Sequence, residues 1–283
     1  MTINQVYTKG KLMLKEAGIG SPAFDCMCIL EHCFSINRHY LIMNGNLEAD
    51  RNKENIFLNL ISKRAKGYPL QYLIGEWEFM NLKFKVGEGV LIPREDTETL
   101  VNECLKRIAK KDNPKVLDLC SGSGAVGLSI ASNRCDSQVT CVEYSEKAFE
   151  YLKKNTLING ISNVDCIKGN IFKDISILEN KKFDAIVSNP PYIKTSEIDN
   201  LQTEVKYEPQ MALDGGRDGL DFYRIIAKKW IKYLNIGGLI AVEIGIGQEV
   251  DVKEIFRCVG LYDINSYKDI NGIERVISAL KLE

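Results

Sequence analysis

The spacing of apolar positions changes period once along the chain. Up to Gly75 the apolar residues recur at helical intervals. "QVYTKGKLMLKEAG" carries one apolar face and stops on a glycine, Ser21 then Pro22 supplies an N-cap and first-turn proline for a helix through "FDCMCILEHC", and "NKENIFLNLISKRAKG" makes a further helix ending at Gly67. No alternating run interrupts them, so residues 1–75 predict a small helical bundle. "EWEFMNLKFKVGEGVLIP" then alternates, with Trp77 and Phe79 before a Met80-Asn81 turn and Leu82, Phe84 and Val86 after it. That is a hairpin pattern, and residues 76–92 read as a linker. From 93 to 283, strand candidates "KVLDLC", "QVTCVEY", "VDCIKG", "FDAIVSN" and "GGLIAVEIG" take turns with helices such as "AVGLSIASNR", "SEKAFEYLKKNTLING" and "DFYRIIAKKWIKYLN". This alternation predicts an α/β fold with a mostly parallel sheet covered on both faces, closed by an antiparallel pair, "YDINSYKD" and "ERVISALKL".

Composition narrows the class. The 283 residues, 45% hydrophobic and 27% charged, provide material for a large domain and a small one. No run reaches the roughly 18 apolar residues of a membrane span, and Met1 to Gly20 is polar and amphipathic rather than a signal peptide, so no membrane partner and a cytoplasmic location are expected. The net charge of −1 argues against a strongly basic nucleic-acid binder. It is unevenly divided, +3 over residues 1–75 and −4 over the remainder. Nine cysteines are scattered without a CxxC pair. Cys26, Cys28 and Cys33, beside His32, fall in one apolar helical segment where cysteine acts as a small buried hydrophobe, and no metal is expected.

Two motifs carry chemistry. "VLDLCSGSGAVGLSIA", Val116 to Ala131, is a strand, a small-residue turn and a helix, with Gly122 and Gly124 letting backbone approach a ligand and the helix start offering free N–H groups. The GxGxxG spacing is met by Gly122, Gly124 and Gly127, but Asp118 would repel an anion and no Walker lysine follows. Glu143 ends the next strand about 20 residues on, where an acid takes the hydroxyls of a ribose. NAD and S-adenosylmethionine both carry that ribose. Asp118 favours S-adenosylmethionine, which is cationic where NAD carries a pyrophosphate. The second motif is "VSNPPYI", Val187 to Ile193. Its two prolines remove backbone donors and hold Asn189 to Tyr192 as a stiff arc of acceptors, with Tyr192 offering a flat face. Such an arc suits a planar NH2 group: its two N–H bonds would go to the Asn189 side chain and the Pro190 carbonyl, pyramidalising the nitrogen and aiming its lone pair. Adenine, cytosine, guanine, glutamine and asparagine all qualify.

With "RAKGYPLQYLIGEWEF", "VLIPREDTETLV" and "VKYEPQMALDGGRDGLDFYRII" added to these motifs, the chain resembles the glutamine-specific protein methyltransferases of the HemK or PrmC family, which modify bacterial peptide chain release factors. The likeness covers nearly the whole chain, most strongly Lys63 to Ile226. It implies a Rossmann-like class I methyltransferase sheet and transfer of a methyl from S-adenosylmethionine to the glutamine of the release factor's Gly-Gly-Gln loop. By the same resemblance Asn189, Pro190 and Tyr192 would be catalytic. The cofactor would meet Asp118, Cys120, Ser121, Gly122, Ser123, Gly124, Glu143, Asn170, Ile171 and Asn189. The substrate glutamine would meet Asn189, Pro190, Pro191 and Tyr192, with Arg94 and Thr97 close by. Arg94 and Glu98 read equally well as an ion pair closing the pocket. Cys120 stands where many relatives carry glycine. The helical bundle would dock the release factor. Rival readings are a methyltransferase for a ribosomal-protein glutamine, a nucleic-acid amino-methyltransferase, which the −4 balance of the larger part opposes, and a binding module that keeps the cofactor fold without the chemistry.

Overall fold

The first helix, α1 (Ile3–Glu16), opens on a capping box in which the Thr2 hydroxyl accepts the Gln5 N–H and the Gln5 side chain accepts that of Thr2. The computed structural model describes residues 1–173 and 176–282. Four more helices follow α1: α2 (Pro22–Phe34), α3 (Arg38–Asn44), α4 (Arg51–Ala65) and α5 (Leu70–Ile74). Ser21 occupies the N-cap of α2 but its side chain makes no capping bond, leaving Pro22 to set the first turn. By internal contacts these helices form one unit, Met1–Glu76 with the later segment Gln202–Tyr207; the other unit is Trp77–Leu201 with Glu208–Glu283.

The helical unit closes around Val6, Leu14, Ile29, Leu30, Phe57 and Ile61, all fully buried. Each such side chain contributes about 1.5–3 kcal/mol. Gly10 is required there, because a Cβ would lie 2.7 Å from the Phe57 ring. Arg64 is buried between Asp25 at 2.7 Å and Glu204 at 2.9 Å, and Tyr207 meets Tyr68 edge-on at 5.0 Å, so residues 202–207 complete this unit rather than the one that precedes and follows them. Burial pushes the Cys26 thiol up to about 12 and those of Cys28 and Cys33 up to about 11. They are packing groups. Among the described residues no three His, Cys, Asp or Glu side chains converge as metal ligands, and no helix is long and apolar enough to cross a membrane.

The second unit is built on one seven-stranded sheet. After the hairpin β1 (Glu76–Phe79) and β2 (Leu82–Lys85) come α6 (Glu98–Ile108), β3 (Lys115–Leu119), α7 (Ala125–Asn133), β4 (Gln138–Glu143), α8 (Glu146–Ile158), β5 (Val164–Lys168) and β6 (Phe183–Ser188). Next are α9 (Asp221–Ile225), β7 (Leu234–Glu243), α10 (Glu249–Cys258), β8 (Leu261–Lys268) and β9 (Glu274–Lys281). The hairpin turns on Met80 (φ 49°) and Asn81 (φ 63°), the two left-handed residues of a type I′ turn. Strand order is β5-β4-β3-β6-β7-β9-β8. The first five strands run parallel, and β9 is antiparallel to both β7 and β8. Order reverses at β3, which is where an open α/β sheet forms its crevice.

α9 departs from the long regular helix expected of "DFYRIIAKKWIKYLN". It widens into a π-helical turn over Ile226–Trp230 and tightens into a 3-10 turn before β7. The cause is Trp230, 1% exposed, whose indole N–H donates to the Ile171 carbonyl at 3.0 Å. Seating so large a ring under the sheet shifts the helix register by one residue.

Candidate active site

A cavity of about 460 Å3 lies at the carboxyl ends of β3, β4 and β6. After β3 the chain passes through Cys120 to Gly124 into α7. Gly124 (φ 89°) allows this turn to sit on its neighbours, since a Cβ there would lie 2.6 Å from Leu152 Cδ1; at Gly122 (φ 57°) a Cβ would meet nothing within 4 Å, so its need is conformational. Cys120 also has positive φ, 61°, which strains an L residue by about 1–2 kcal/mol and accounts for glycine suiting this position. The residue lies in the cavity lining, and its side chain packs against the apolar core. Gly127 serves packing alone: a Cβ would lie 2.3 Å from Cys141 Sγ. Asn155 holds the turn from behind, donating to Ser123 O at 2.9 Å and accepting from Lys85 N at 2.7 Å.

Two carboxylates set the electrostatics. Glu143, ending β4, accepts the Gly122 N–H on Oε2 and the Ser145 N–H on Oε1, both at 2.7 Å, which ties the glycine turn to the start of α8. Burial raises its pKa against the pull of these bonds. Asp118, 1% exposed, accepts the Gly127 N–H on Oδ2 at 3.0 Å, while its other oxygen, Oδ1, is buried without a hydrogen-bond partner among the described residues. Burial pushes Asp118 up to about 7. An orphaned carboxylate oxygen beside a second buried acid rejects phosphate and favours a cationic ligand bearing N–H donors.

The opposite wall begins where β6 ends. The Ser188 hydroxyl donates to Leu119 O at 2.7 Å, fastening this strand end to β3. Asn189 then donates through Nδ2 to Thr97 Oγ1 at 3.1 Å, and Thr97 donates to Glu243 Oε2 at 2.6 Å. The Tyr192 hydroxyl also faces Glu243, 3.4 Å from Oε1. Gln248 Nε2 donates to Tyr192 O at 2.9 Å, its own oxygen being held by the Tyr223 hydroxyl and the Gly245 N–H. Two glycines of "ALDGGRDGL" flank the same arc: a Cβ on Gly215 would fall 2.7 Å from Tyr192 Cα, and one on Gly219 2.5 Å from Tyr192 O. Arg94 pairs with Glu208, not Glu98, and Glu208 also accepts the Ile92 N–H at 3.0 Å. Glu208 thereby joins the "IPRE" and "EPQM" segments.

Residues 5–75 match the PrmC N-terminal domain family, and residues 96–216 match the methyltransferase small domain family. A release factor glutamine methyltransferase of Fusobacterium nucleatum subsp. nucleatum is 40% identical over 280 residues, covering 98% of this chain and 78% of that protein. One of Clostridium botulinum (strain Hall) is 36% identical over 283 residues, covering 99% of this chain and 100% of that protein. The chain belongs to the release factor glutamine methyltransferase family. Among solved structures, the hMettl16 catalytic domain, crystallised with an RNA hairpin, aligns with a TM-score of 0.58 over 85% of each chain at 13% identity, a likeness of fold alone.

Against the residues that the family resemblance implies, the cavity gathers most of them. Asp118, Cys120 to Ser123 and Glu143 line one side, Asn170 and Ile171 follow β5, and Asn189, Pro191, Arg94 and Thr97 line the rest. Gly124, Pro190 and Tyr192 do not line it. The Tyr192 ring packs against the core under the sheet, with its hydroxyl turned to Glu243, so it braces the arc instead of presenting a stacking face. Glu243, Gln248 and Glu208 are the supporting residues that motif reading passes over. Glu243 does carry a signal: a lone carboxylate inside the apolar run "LIAVEIG" must be buried, and a buried charge needs partners.

Proposed function

We propose that this methyltransferase transfers a methyl group from S-adenosylmethionine to the side-chain amide nitrogen of the glutamine in the Gly-Gly-Gln loop of peptide chain release factors. The observation that carries the reading is Asn189, whose amide gives its NH2 to Thr97 and thereby leaves Oδ1 as an acceptor at the cavity wall, across from the Asp118 and Glu143 carboxylates. Family membership supports the substrate class.

The residues present suit the cofactor: Asp118 Oδ1 is an unfilled acceptor, Glu143 keeps a lone pair on each oxygen for a ribose, and Gly122 leaves open space beside its backbone. Asp118, Cys120 to Ser123, Glu143, Asn170 and Ile171 would hold S-adenosylmethionine, which when bound supplies an electrophilic methyl carbon on cationic sulfur. The chain's own part is orientation. Asn189 Oδ1 accepts an N–H of the substrate amide, localises its lone pair and points it along the transfer path, while Pro190, outside the cavity lining, stiffens the arc that holds Asn189. No general base is needed during transfer, because the nitrogen sheds its extra proton afterwards. The mostly apolar cavity wall keeps water from competing for the methyl group. The helical unit, with Ile42 71% and Met43 69% exposed on α3, is the part assigned to holding the release factor.

The test is incubation of the purified protein with S-adenosylmethionine and a purified release factor, followed by tandem mass spectrometry. A 14 Da gain on the Gly-Gly-Gln glutamine is the expected result. Cofactor binding without transfer to that residue overturns the substrate assignment and turns the search to ribosomal proteins and nucleic acids.

A further inference from the structure

We infer that Glu243, acting through Thr97, is the positioning residue that fixes which way round the Asn189 amide faces the reacting nitrogen. The inference rests on the reaction proposed above and adds to it a residue outside the cavity lining. An asparagine side chain is nearly symmetric in shape, so packing alone does not choose between its oxygen and its nitrogen. Hydrogen bonds must choose. The partner of the Asn189 amide is the Thr97 hydroxyl at 3.1 Å, and a hydroxyl can either donate or accept toward it.

Glu243 removes that freedom. An ionised carboxylate only accepts, so the single hydroxyl hydrogen of Thr97 is committed to Glu243 Oε2 at 2.6 Å. Only lone pairs are left for Asn189, which must answer with NH2 and turn Oδ1 to the cavity. Were the amide reversed, its NH2 would confront the NH2 of the substrate, donor against donor. Thr97 and Glu243 are each 2% exposed, so solvent water does not relax the choice. The relay is charge-assisted and buried throughout.

The groups facing Glu243 are the Tyr192 hydroxyl at Oε1, Arg275 and its partner Asp96, and Tyr223, whose hydroxyl oxygen lies 3.0 Å from the Glu243 backbone carbonyl and shares its hydrogen between that carbonyl and Gln248 Oε1. Burial raises Glu243 to about 7, while the Thr97 bond and Arg275 hold it back and Asp96 adds to the rise. Protonation reverses the chain of donors. A proton on Oε2 would be given to Thr97, the Thr97 hydrogen would pass to Asn189, and the favoured amide would present NH2 to the cavity. Turnover should therefore fall as pH drops through about 7.

The experiment follows glutamine methylation at saturating S-adenosylmethionine from pH 6 to 9 in wild type, Thr97→Val, Thr97→Ser and Glu243→Gln, with thermal midpoints recorded alongside. Thr97→Val should lower kcat about 10- to 100-fold, with KM for both substrates within about threefold. Thr97→Ser, which restores the hydroxyl, should recover most of it. Glu243→Gln keeps an oxygen within reach of Thr97 but nothing that titrates, so whatever its plateau rate, the acid limb should vanish. Full kcat in Thr97→Val, no recovery in Thr97→Ser, or an unchanged acid limb in Glu243→Gln overturns the inference. A separate readout needs no substrate: the side-chain NH2 resonances of Asn189 in 15N-labelled protein should shift with a midpoint near pH 7 in wild type and not in Glu243→Gln. If wild type fails to methylate the release factor, the reaction assignment falls. The resonance titration still decides the relay.

Discussion

Asp118→Asn should make the protein more stable and a worse binder of its cofactor. The carboxylate is fully enclosed, one oxygen takes the Gly127 N–H with the Cys141 thiol at 3.9 Å, and the other has no hydrogen-bond partner among the described residues. Its pKa is raised from an ordinary carboxylate value to about 7 by burial. A folded-state pKa above the unfolded one means that ionisation opposes folding. This destabilisation is absent below about pH 4, grows as pH rises, and is complete above about pH 7. At pH 8 it amounts to at most about 4 kcal/mol. Asparagine keeps an acceptor for Gly127 but buries an amide, so about 1–3 kcal/mol should be recovered. For a chain of this size the thermal midpoint then rises by about 2–10 °C at pH 8, and by much less at pH 5. The cofactor meanwhile loses a charged partner in a buried setting, about 1.5–3 kcal/mol, or about 10- to 150-fold in dissociation constant. Scanning fluorimetry at the two pH values and calorimetry with S-adenosylmethionine at pH 8 measure both. Equal gains at pH 5 and 8, or an affinity within twofold of wild type, would refute the assignment of Asp118 as a strained, ligand-facing acid.

Three further outcomes follow from other contacts. Glu143→Gln replaces one of two acceptors with an NH2 that faces a backbone N–H, so cofactor affinity should drop at least about tenfold; an unchanged dissociation constant would show that the Gly122 and Ser145 bonds do not shape the site. Arg64→Leu strands Asp25, whose pKa burial already raises, and should cost about 3–5 kcal/mol of stability in urea titration. Adding Asp25→Asn should recover part of that loss, and no recovery would mean that the buried charge is not the cause. Gly215→Ala drives a methyl group into Tyr192 Cα and Pro191 O, so kcat should fall more than about tenfold with cofactor affinity retained. Wild-type turnover there would mean that the arc tolerates displacement.

The centre of the sheet was legible because β3, β4, β6 and β7 carry apolar runs bounded by turn residues, and the hairpin because its alternation survives an unusual Met80 in a left-handed turn. Motif residues were legible where backbone geometry demands them: Gly122 and Gly124 take φ values that suit glycine. The direction of the Tyr192 ring was not. It depends on how Gln248, Gly215 and Gly219 grip the backbone of the arc from segments 20 to 60 residues away, and one-dimensional spacing carries no such information. Nor does the pattern reveal that residues 202–207 pack with the helices. That placement rests on Glu204 reaching Arg64, a pair separated by 140 positions. The partner of Arg94 was likewise misplaced: Glu98 lies on the same short segment, yet Glu208 comes within reach in space.

Cys120 has a chemical consequence beyond its strained backbone. A thiolate is a far better nucleophile than an amide, and one beside a pocket that takes a methylating agent would itself be methylated and end the enzyme's working life. Burial, with Glu143 and Asp118 close by, holds this thiol well above its ordinary pKa, and so in its unreactive protonated form. Burial above all, aided by the acids that would draw a cation into the pocket, thus protects the protein from its own reagent.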